Sequence, residues 1–154
     1  MNQAHIHLIV NHLPIAGSLF ALILLGVGLL RKNTTLIEAG LVGVLGAGLL
    51  CLPAQLTGEG AASIVQDLPR VSRALIQNHA AAAEQGFWVL ETAAALALFA
   101  LRLLKDASPQ ARRLALLAWV AVGLSFSLLA RAGYLGGQIR HPEIREGLGR
   151  PNEL

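Results

Sequence analysis

The chain has 154 residues, of which 55% are hydrophobic and only 14% are charged, and its formal net charge is +3. A soluble domain carries about 25% charged residues, so the composition excludes a water-soluble fold and predicts one integral membrane domain. Nucleic acid is not expected as a partner, because no basic stripe with interleaved aromatic residues is present. The single cysteine, Cys51, excludes a disulfide within the chain.

Four long apolar segments predict an all-α fold, an antiparallel four-helix bundle that crosses the lipid bilayer four times. The predicted spans cover residues 13–30, 36–55, 74–104 and 109–135. An interfacial segment at 57–73 and an extramembrane tail at 136–154 complete the single domain.

The second span carries a proline and four glycines. Pro53 is expected to kink or end this helix, and the TGEG sequence at 57–60 to close it. The glycines favour close approach of a neighbouring helix, with room for a flat cofactor as the alternative. They are Gly40, Gly43, Gly46 and Gly48.

Basic residues near the span ends predict the orientation. Arg31 and Lys32 lie between the first two spans, and Lys105, Arg112 and Arg113 lie between the last two. The other side carries as many basic residues, but those in the tail mostly lie further from a span. Because the positive-inside rule weighs short loops, both termini are predicted to lie outside the cytoplasm.

This topology places every histidine at one end of the bundle, together with Glu59. The six residues are His5, His7, His12, Glu59, His79 and His141. Neutral imidazole is the commonest metal ligand of proteins, and helix bundles build cofactor sites from side chains on facing helices. The sequence therefore predicts a binding site at this end.

The leading interpretation of the site is a haem b for electron transfer. His12 and His79 lie at similar depths on the first and third spans, so they are the predicted axial ligands. Arg131 and Arg140 would pair with the haem propionates. His141 is the next candidate ligand, and with His5 or His7 it would hold a second haem. An independent enzyme is not expected, because the sequence shows no nucleophile and base in the arrangement typical of a hydrolase.

Two other functions remain open. A mixed set of nitrogen and oxygen ligands would suit zinc, copper or non-haem iron in a protein that binds or transports a divalent transition metal. That set is His12, Glu59, His79 and His141, with His5 and His7 as weaker members. The second alternative is a non-catalytic subunit whose small-residue faces dock onto a larger membrane complex. The expected partners are the lipid bilayer, a redox partner or larger membrane complex, and another copy of the chain.

Two carboxylates share one face of the third span. Glu84 lies near the histidines, whereas Glu91 falls near the middle of the bilayer, where an ionised carboxylate is costly. One interpretation is a relay for protons or cations. The other is a neutral Glu91 that hydrogen-bonds to Ser125 or Ser127 of the fourth span.

Four sequence segments carry a family resemblance. They are NHLPI at 11–15, LTGEGA at 56–61, LIQNHAAAAE at 75–84 and GGQIRHPEI at 136–144. Through them the chain resembles a family of small four-span bacterial membrane proteins of unknown function, along nearly its whole length. The resemblance implies a bacterial inner-membrane location and importance for His12, Glu59, His79 and His141. A related family with a similar histidine-proline start is suspected of binding haem. Ala80 departs from the pattern, since family members often have Glu there.

Overall fold

The computed structural model describes residues 1–145. That part of the chain folds into α-helices without any strand, which confirms the predicted all-α four-helix bundle. The elements are α1 (Gln3–Val10), α2 (Leu13–Arg31), α3 (Thr34–Val65), α4 (Arg73–Lys105), α5 (Gln110–Arg140) and a 3₁₀ helix (Pro142–Ile144).

Four helical units are long and apolar enough to cross a membrane, and α1 and α2 together make the first of them. Around the bundle, α2 packs on α3, α3 on α4, α4 on α5, and α5 on α2. The short helix α1 continues outward from α2 and packs against the C-terminal part of α3. Successive long helices are joined by short loops, as expected for antiparallel neighbours.

Local signals in the sequence start and stop these helices. The side chain of Asn33 accepts a hydrogen bond from the Leu36 amide at 3.0 Å and so caps the start of α3. Lys32, just before it, has a left-handed backbone with φ of 54°, which ends α2. Pro14 lies in the first turn of α2, where a missing amide donor costs little.

The prediction that the second helix ends at Pro53 or closes at the TGEG sequence is wrong, and residues 57–65 of the predicted interfacial segment belong to helix α3. Helix α3 continues through Pro53 and the TGEG sequence to Val65. The Thr57 hydroxyl donates to the Pro53 carbonyl at 2.7 Å, and α1 packs along this part of α3. Helix α5, which corresponds to the predicted fourth span, also continues past residue 135, to Arg140. The part of α3 that extends beyond the predicted span is thus the part on which α1 packs.

Alanines make up about half of the buried apolar residues of the bundle, beside larger ones such as Leu25, Leu41 and Leu90, and many other large apolar side chains are exposed. Exposed large residues include Phe20 (65% exposed), Phe99 (62%) and Trp88 (62%). Helices in lipid gain little from burying large apolar groups, and associate instead through close packing of small residues. The buried alanines of α4 and α5 are Ala82, Ala93, Ala94, Ala97, Ala100, Ala111, Ala115, Ala118 and Ala132.

Glycines in α3 permit the closest of these approaches. A Cβ atom on Gly40 would lie 2.6 Å from Cα and 2.7 Å from N of Leu25 on α2. These Leu25 atoms belong to the backbone of α2, so they cannot move aside unless the helix itself moves. A Cβ on Gly46, two turns further along α3, would meet nothing within 4 Å. Gly40 therefore serves helix packing, whereas Gly46 does not.

These two glycines give a matched pair of substitutions. We expect Gly40→Ala to lower the free energy of unfolding by about 1–3 kcal/mol, because the added methyl group forces α2 and α3 apart. Gly46→Ala should be neutral, or stabilise by up to about 1 kcal/mol through its better helix propensity. Unfolding with sodium dodecyl sulfate in mixed micelles, followed by circular dichroism, measures both.

Equal effects of the two substitutions would contradict the packing of α2 on α3 described above. Because the two variants make the same chemical change in the same helix, a general effect of losing glycine affects both alike.

Candidate functional site

Both ends of the bundle are polar, but the histidines lie at only one of them. This end combines α1, the C-terminal part of α3, the start of α4 and the end of α5, and we call it the histidine end. His7 of α1 reaches α3, His79 of α4 reaches α5, and the two imidazole rings are neighbours. His141 follows the last residue of α5.

The His7 side chain is held against α3. Its Nδ1 atom lies 3.1 Å from the Ala54 carbonyl oxygen and 3.1 Å from the Thr57 hydroxyl oxygen. The Thr57 hydroxyl uses its own hydrogen to donate to Pro53, so its oxygen accepts from the imidazole. His7 is half-buried as a result.

The His79 side chain is held against α5 in the same way. Its Nδ1 atom lies 2.8 Å from the Ala132 carbonyl oxygen, and the residue is half-buried. The centres of the His7 and His79 rings are 6.4 Å apart, and the ring planes are almost perpendicular at 87°. The structure thus brings His7, rather than the predicted His12, beside His79.

Each of the two imidazoles meets a helix at an alanine that is followed four residues later by glycine. Gly58 follows Ala54, and a Cβ on it would lie 3.6 Å from Cε1 of His7. Gly136 follows Ala132, and a Cβ on it would lie 3.1 Å from Nδ1 and Cε1 of His79. A carbonyl in a helix points toward the residue four positions later, so Gly136 leaves room for the His79 ring to reach the Ala132 oxygen, whereas a Cβ at Gly58 would make only an ordinary contact with His7.

This arrangement determines which ring nitrogen carries the proton. A carbonyl oxygen only accepts, so Nδ1 of both His7 and His79 must donate. In the neutral imidazole, Nε2 then keeps its lone pair. An imidazole held through Nδ1–H by a backbone carbonyl, with Nε2 free, is the usual form of a metal-ligating histidine.

The other predicted ligands lie at the same end but are exposed. His12 is exposed in the turn between α1 and α2, and its Nδ1 contacts the side-chain oxygen of Asn11. His5 on α1 and Glu59 on α3 are also exposed. Within residues 1–145, no three His, Cys, Asp or Glu side chains come together so that they could hold a metal ion. The predicted four-ligand set is therefore not assembled.

His141 contacts a carboxylate rather than a backbone carbonyl. Its Nδ1 lies 2.8 Å from the Glu143 carboxylate, and both side chains are exposed. Hydrogen bonds from the Glu143 backbone amide and from His141 lower the pKa of the Glu143 carboxyl group. This pair lies in the 3₁₀ turn after α5.

Arg131 and Arg140, the predicted partners of the propionates, are exposed on α5. Neither forms an ion pair with another residue in the described part of the chain. Arg140 lines a small cleft of about 170 Å³ at the histidine end, with Pro69, Arg70 and Pro142 among its neighbours. Both guanidinium groups are therefore available to an anionic ligand.

The predicted hydrogen bond of Glu91 to a serine of α5 is wrong. Ser125 donates to the Gly86 carbonyl at 2.9 Å, and Ser127 to the Gly123 carbonyl at 3.0 Å. The Oε1 atom of Glu91 is buried and has no hydrogen-bond partner among residues 1–145. It faces α3, where a Cβ on Gly48 would lie 3.5 Å from it. Glu84 is exposed on α4.

Sequence reasoning missed two residues that hold this end together. Thr57 supports His7, as described above. The Arg145 guanidinium donates to the carbonyls of Gln138 and Ile139 at the end of α5, and to the Arg70 carbonyl before α4. A basic residue just after a helix is the signal that could have found Arg145, since such residues often satisfy the last carbonyls.

The chain matches no family model, no curated protein and no solved structure in the three comparisons made. The function of the site is consequently argued from its own geometry.

The hydrogen bonds of His7 and His79 can be tested without any ligand. In protein with ¹⁵N-labelled histidine at about pH 8, where an ordinary imidazole is neutral, both residues should give the signals of the Nδ1–H tautomer. Gly136→Ala should shift the His79 signals, because the added methyl group lies in the place of the ring.

The matched control is Gly137→Ala, whose Cβ would lie 3.5 Å from the Ile144 side chain, an ordinary contact. It should leave His79 unchanged. The single variants His7→Gln and His79→Gln assign the signals. An Nε2–H tautomer at both residues would refute the described orientation of the rings.

The unpaired Glu91 oxygen predicts a stability effect. We expect Glu91→Leu to raise the free energy of unfolding by about 1–3 kcal/mol, because a buried polar group without a partner is destabilising. The detergent unfolding assay described above measures the change. Glu84→Leu, at the exposed carboxylate of the same helix, is the control and should change little. Lower stability of Glu91→Leu would show that the carboxyl group has a stabilising partner.

Proposed function

We propose that this chain is a membrane-bound b-type cytochrome, in which His7 and His79 are the axial ligands of one haem b that carries electrons. The observation behind the proposal is the geometry of the two imidazoles. Both are half-buried, both are held through Nδ1 by a backbone carbonyl, and their ring centres are 6.4 Å apart.

The separation of the rings suits two ligands on opposite sides of one metal. A metal–nitrogen bond of about 2 Å on each of two opposed imidazoles puts the ring centres about 6 Å apart. The number of ligands is also informative. A bare transition ion usually takes three or four protein ligands, whereas a haem brings four nitrogens of its own and needs two. The described residues offer His7 and His79 as such a pair and no group of three.

The residues around the pair have separate tasks in this proposal. The carbonyls of Ala54 and Ala132 orient the rings and make Nε2 more basic, which strengthens a bond to iron. Arg131 and Arg140 neutralise the propionates, since a guanidinium matches a carboxylate in shape and charge. The haem, when bound, supplies the one-electron exchange. His12 has no ligand task in this arrangement.

The proposed location is the inner membrane of a bacterium, with both termini outside the cytoplasm. Basic residues close to the span ends at the opposite end support this orientation. They are Arg31, Lys32, Lys105, Arg112 and Arg113. The histidine end would then lie near the outer surface, where a redox partner could approach it.

An absorption spectrum tests the proposal. The full chain, purified in detergent from cells supplied with haem, should show a Soret band and, after reduction with dithionite, sharp α and β bands. His7→Ala and His79→Ala should each abolish bis-histidine coordination, with loss of the haem or a high-spin spectrum.

His12→Ala, His5→Ala and His141→Ala are the matched controls and should keep the spectrum. Loss of the spectrum in His12→Ala but not in His7→Ala would instead support His12 and His79, the ligands predicted from the sequence. A colourless preparation that contains stoichiometric zinc or copper by elemental analysis would reject the haem in favour of a metal-binding protein. Co-purifying subunits without any cofactor would favour a structural role in a larger complex.

A further inference from the structure

The end of the bundle opposite the histidines has a cleft of its own. It lies between α2 and α5, where two neighbouring helices of the bundle make their least extensive contact, and its volume is about 500 Å³. Its lining residues are Gly26, Leu29, Leu30, Pro109, Arg112, Arg113, Leu116 and Trp119.

Polar and apolar groups are separated along this cleft. Arg112 and Arg113 lie in the first turn of α5, at the mouth, and Leu116 and Trp119 follow one and two turns deeper. Seven residues separate Arg112 from Trp119, which corresponds to about 10 Å along the helix axis. The cleft therefore runs from a charged mouth at the helix ends to an apolar floor nearer the middle of the bilayer.

Contacts with α2 hold both ends of the cleft in place. The Arg112 guanidinium donates to the Leu29 carbonyl at 3.1 Å, which uses one of its five hydrogens. The indole of Trp119 donates to the Leu22 carbonyl at 3.0 Å, and it packs where a Cβ on Gly26 would lie only 2.8 Å from its nitrogen. The shape of the cleft is therefore built into the two helices.

The charge around the mouth is positive. Basic residues at this end are Arg31, Lys32, Arg102, Lys105, Arg112 and Arg113, and the acidic ones are Glu38 and Asp106. Asp106 is already paired with Arg102 at 2.8 Å. An occupant with an anionic group at the mouth and an apolar chain below it is complementary to this surface.

We propose that the cleft binds one anionic phospholipid, with its phosphate on Arg112 and Arg113 and an acyl chain along Leu116 toward Trp119. Basic pockets between membrane helices are suited to anionic headgroups, and guanidinium groups bind phosphate through charge-assisted hydrogen bonds. The lipid would fill the weakest interface of the bundle. This site is about a span's length from the histidines and does not depend on the proposed haem.

Native mass spectrometry of the full chain in detergent tests the proposal, with phosphatidylglycerol and phosphatidylcholine as the probes. We expect one phosphatidylglycerol to bind with an affinity roughly fivefold higher than that of phosphatidylcholine, given the contribution of one basic residue near a lipid headgroup. Arg113→Gln should remove most of this preference. Leu116→Trp, which fills the cleft and leaves the charge unchanged, should weaken binding of both lipids.

Lys105→Gln is the matched control, because it removes one positive charge at the same end but outside the cleft. It should leave the preference unchanged. Equal losses in Arg113→Gln and Lys105→Gln would overturn the proposal in favour of general surface attraction, as would equal binding of the two lipids by the unaltered chain. A dimer that Leu116→Trp disrupts would show that a second copy of the chain occupies the cleft. Arg113 is exposed, so its replacement by Gln tests the site even if Leu116→Trp fails to fold.

Discussion

Close packing of helices through small side chains is the constraint on which this structure depends. In a bilayer, large apolar side chains gain little from leaving lipid, so helices associate where their backbones can approach. Gly40 lets α3 lie directly on the backbone of Leu25, and alanines line the contact between α4 and α5. Phe20, Trp88 and Phe99 are left on the outside. The interior thus combines many alanines and glycines with a few large side chains such as Leu25, Leu41 and Leu90.

The candidate site uses the same small residues for a different purpose. Gly136 leaves room for His79 to reach the Ala132 carbonyl, and His7 donates likewise to the Ala54 carbonyl. Backbone acceptors are fixed by the helix itself, so the rings need no additional polar side chain for orientation, although Thr57 supports His7. The contacts of α1 with α3 and of α4 with α5 therefore also orient the imidazoles of His7 and His79.

The two ends of the bundle differ in chemistry because the chain alternates direction. At one end, the imidazoles of His7 and His79 meet between α1, α3, α4 and α5. At the other, Arg112 caps the end of α2 and lies at the mouth of a cleft between α2 and α5. Glu91 lies between the two ends, with one buried oxygen unpaired among residues 1–145. An unpaired polar atom in a bundle interior is costly, so Glu91 lowers the stability of the bundle.

The sequence by itself determined the class of the protein and the location of its polar groups. Apolar length and low charge required a four-helix membrane bundle, and antiparallel topology required all five histidines to share one end. Tertiary structure alone decided which histidines meet. His7 and His12 are both at that end, but α1 packs along α3 and turns His7 toward His79, while His12 lies exposed in the turn before α2. The spacing of histidines along one helix carries no information about a carbonyl on another helix. The close approach of the His79 ring to Gly136 therefore follows only from the packing of α4 on α5.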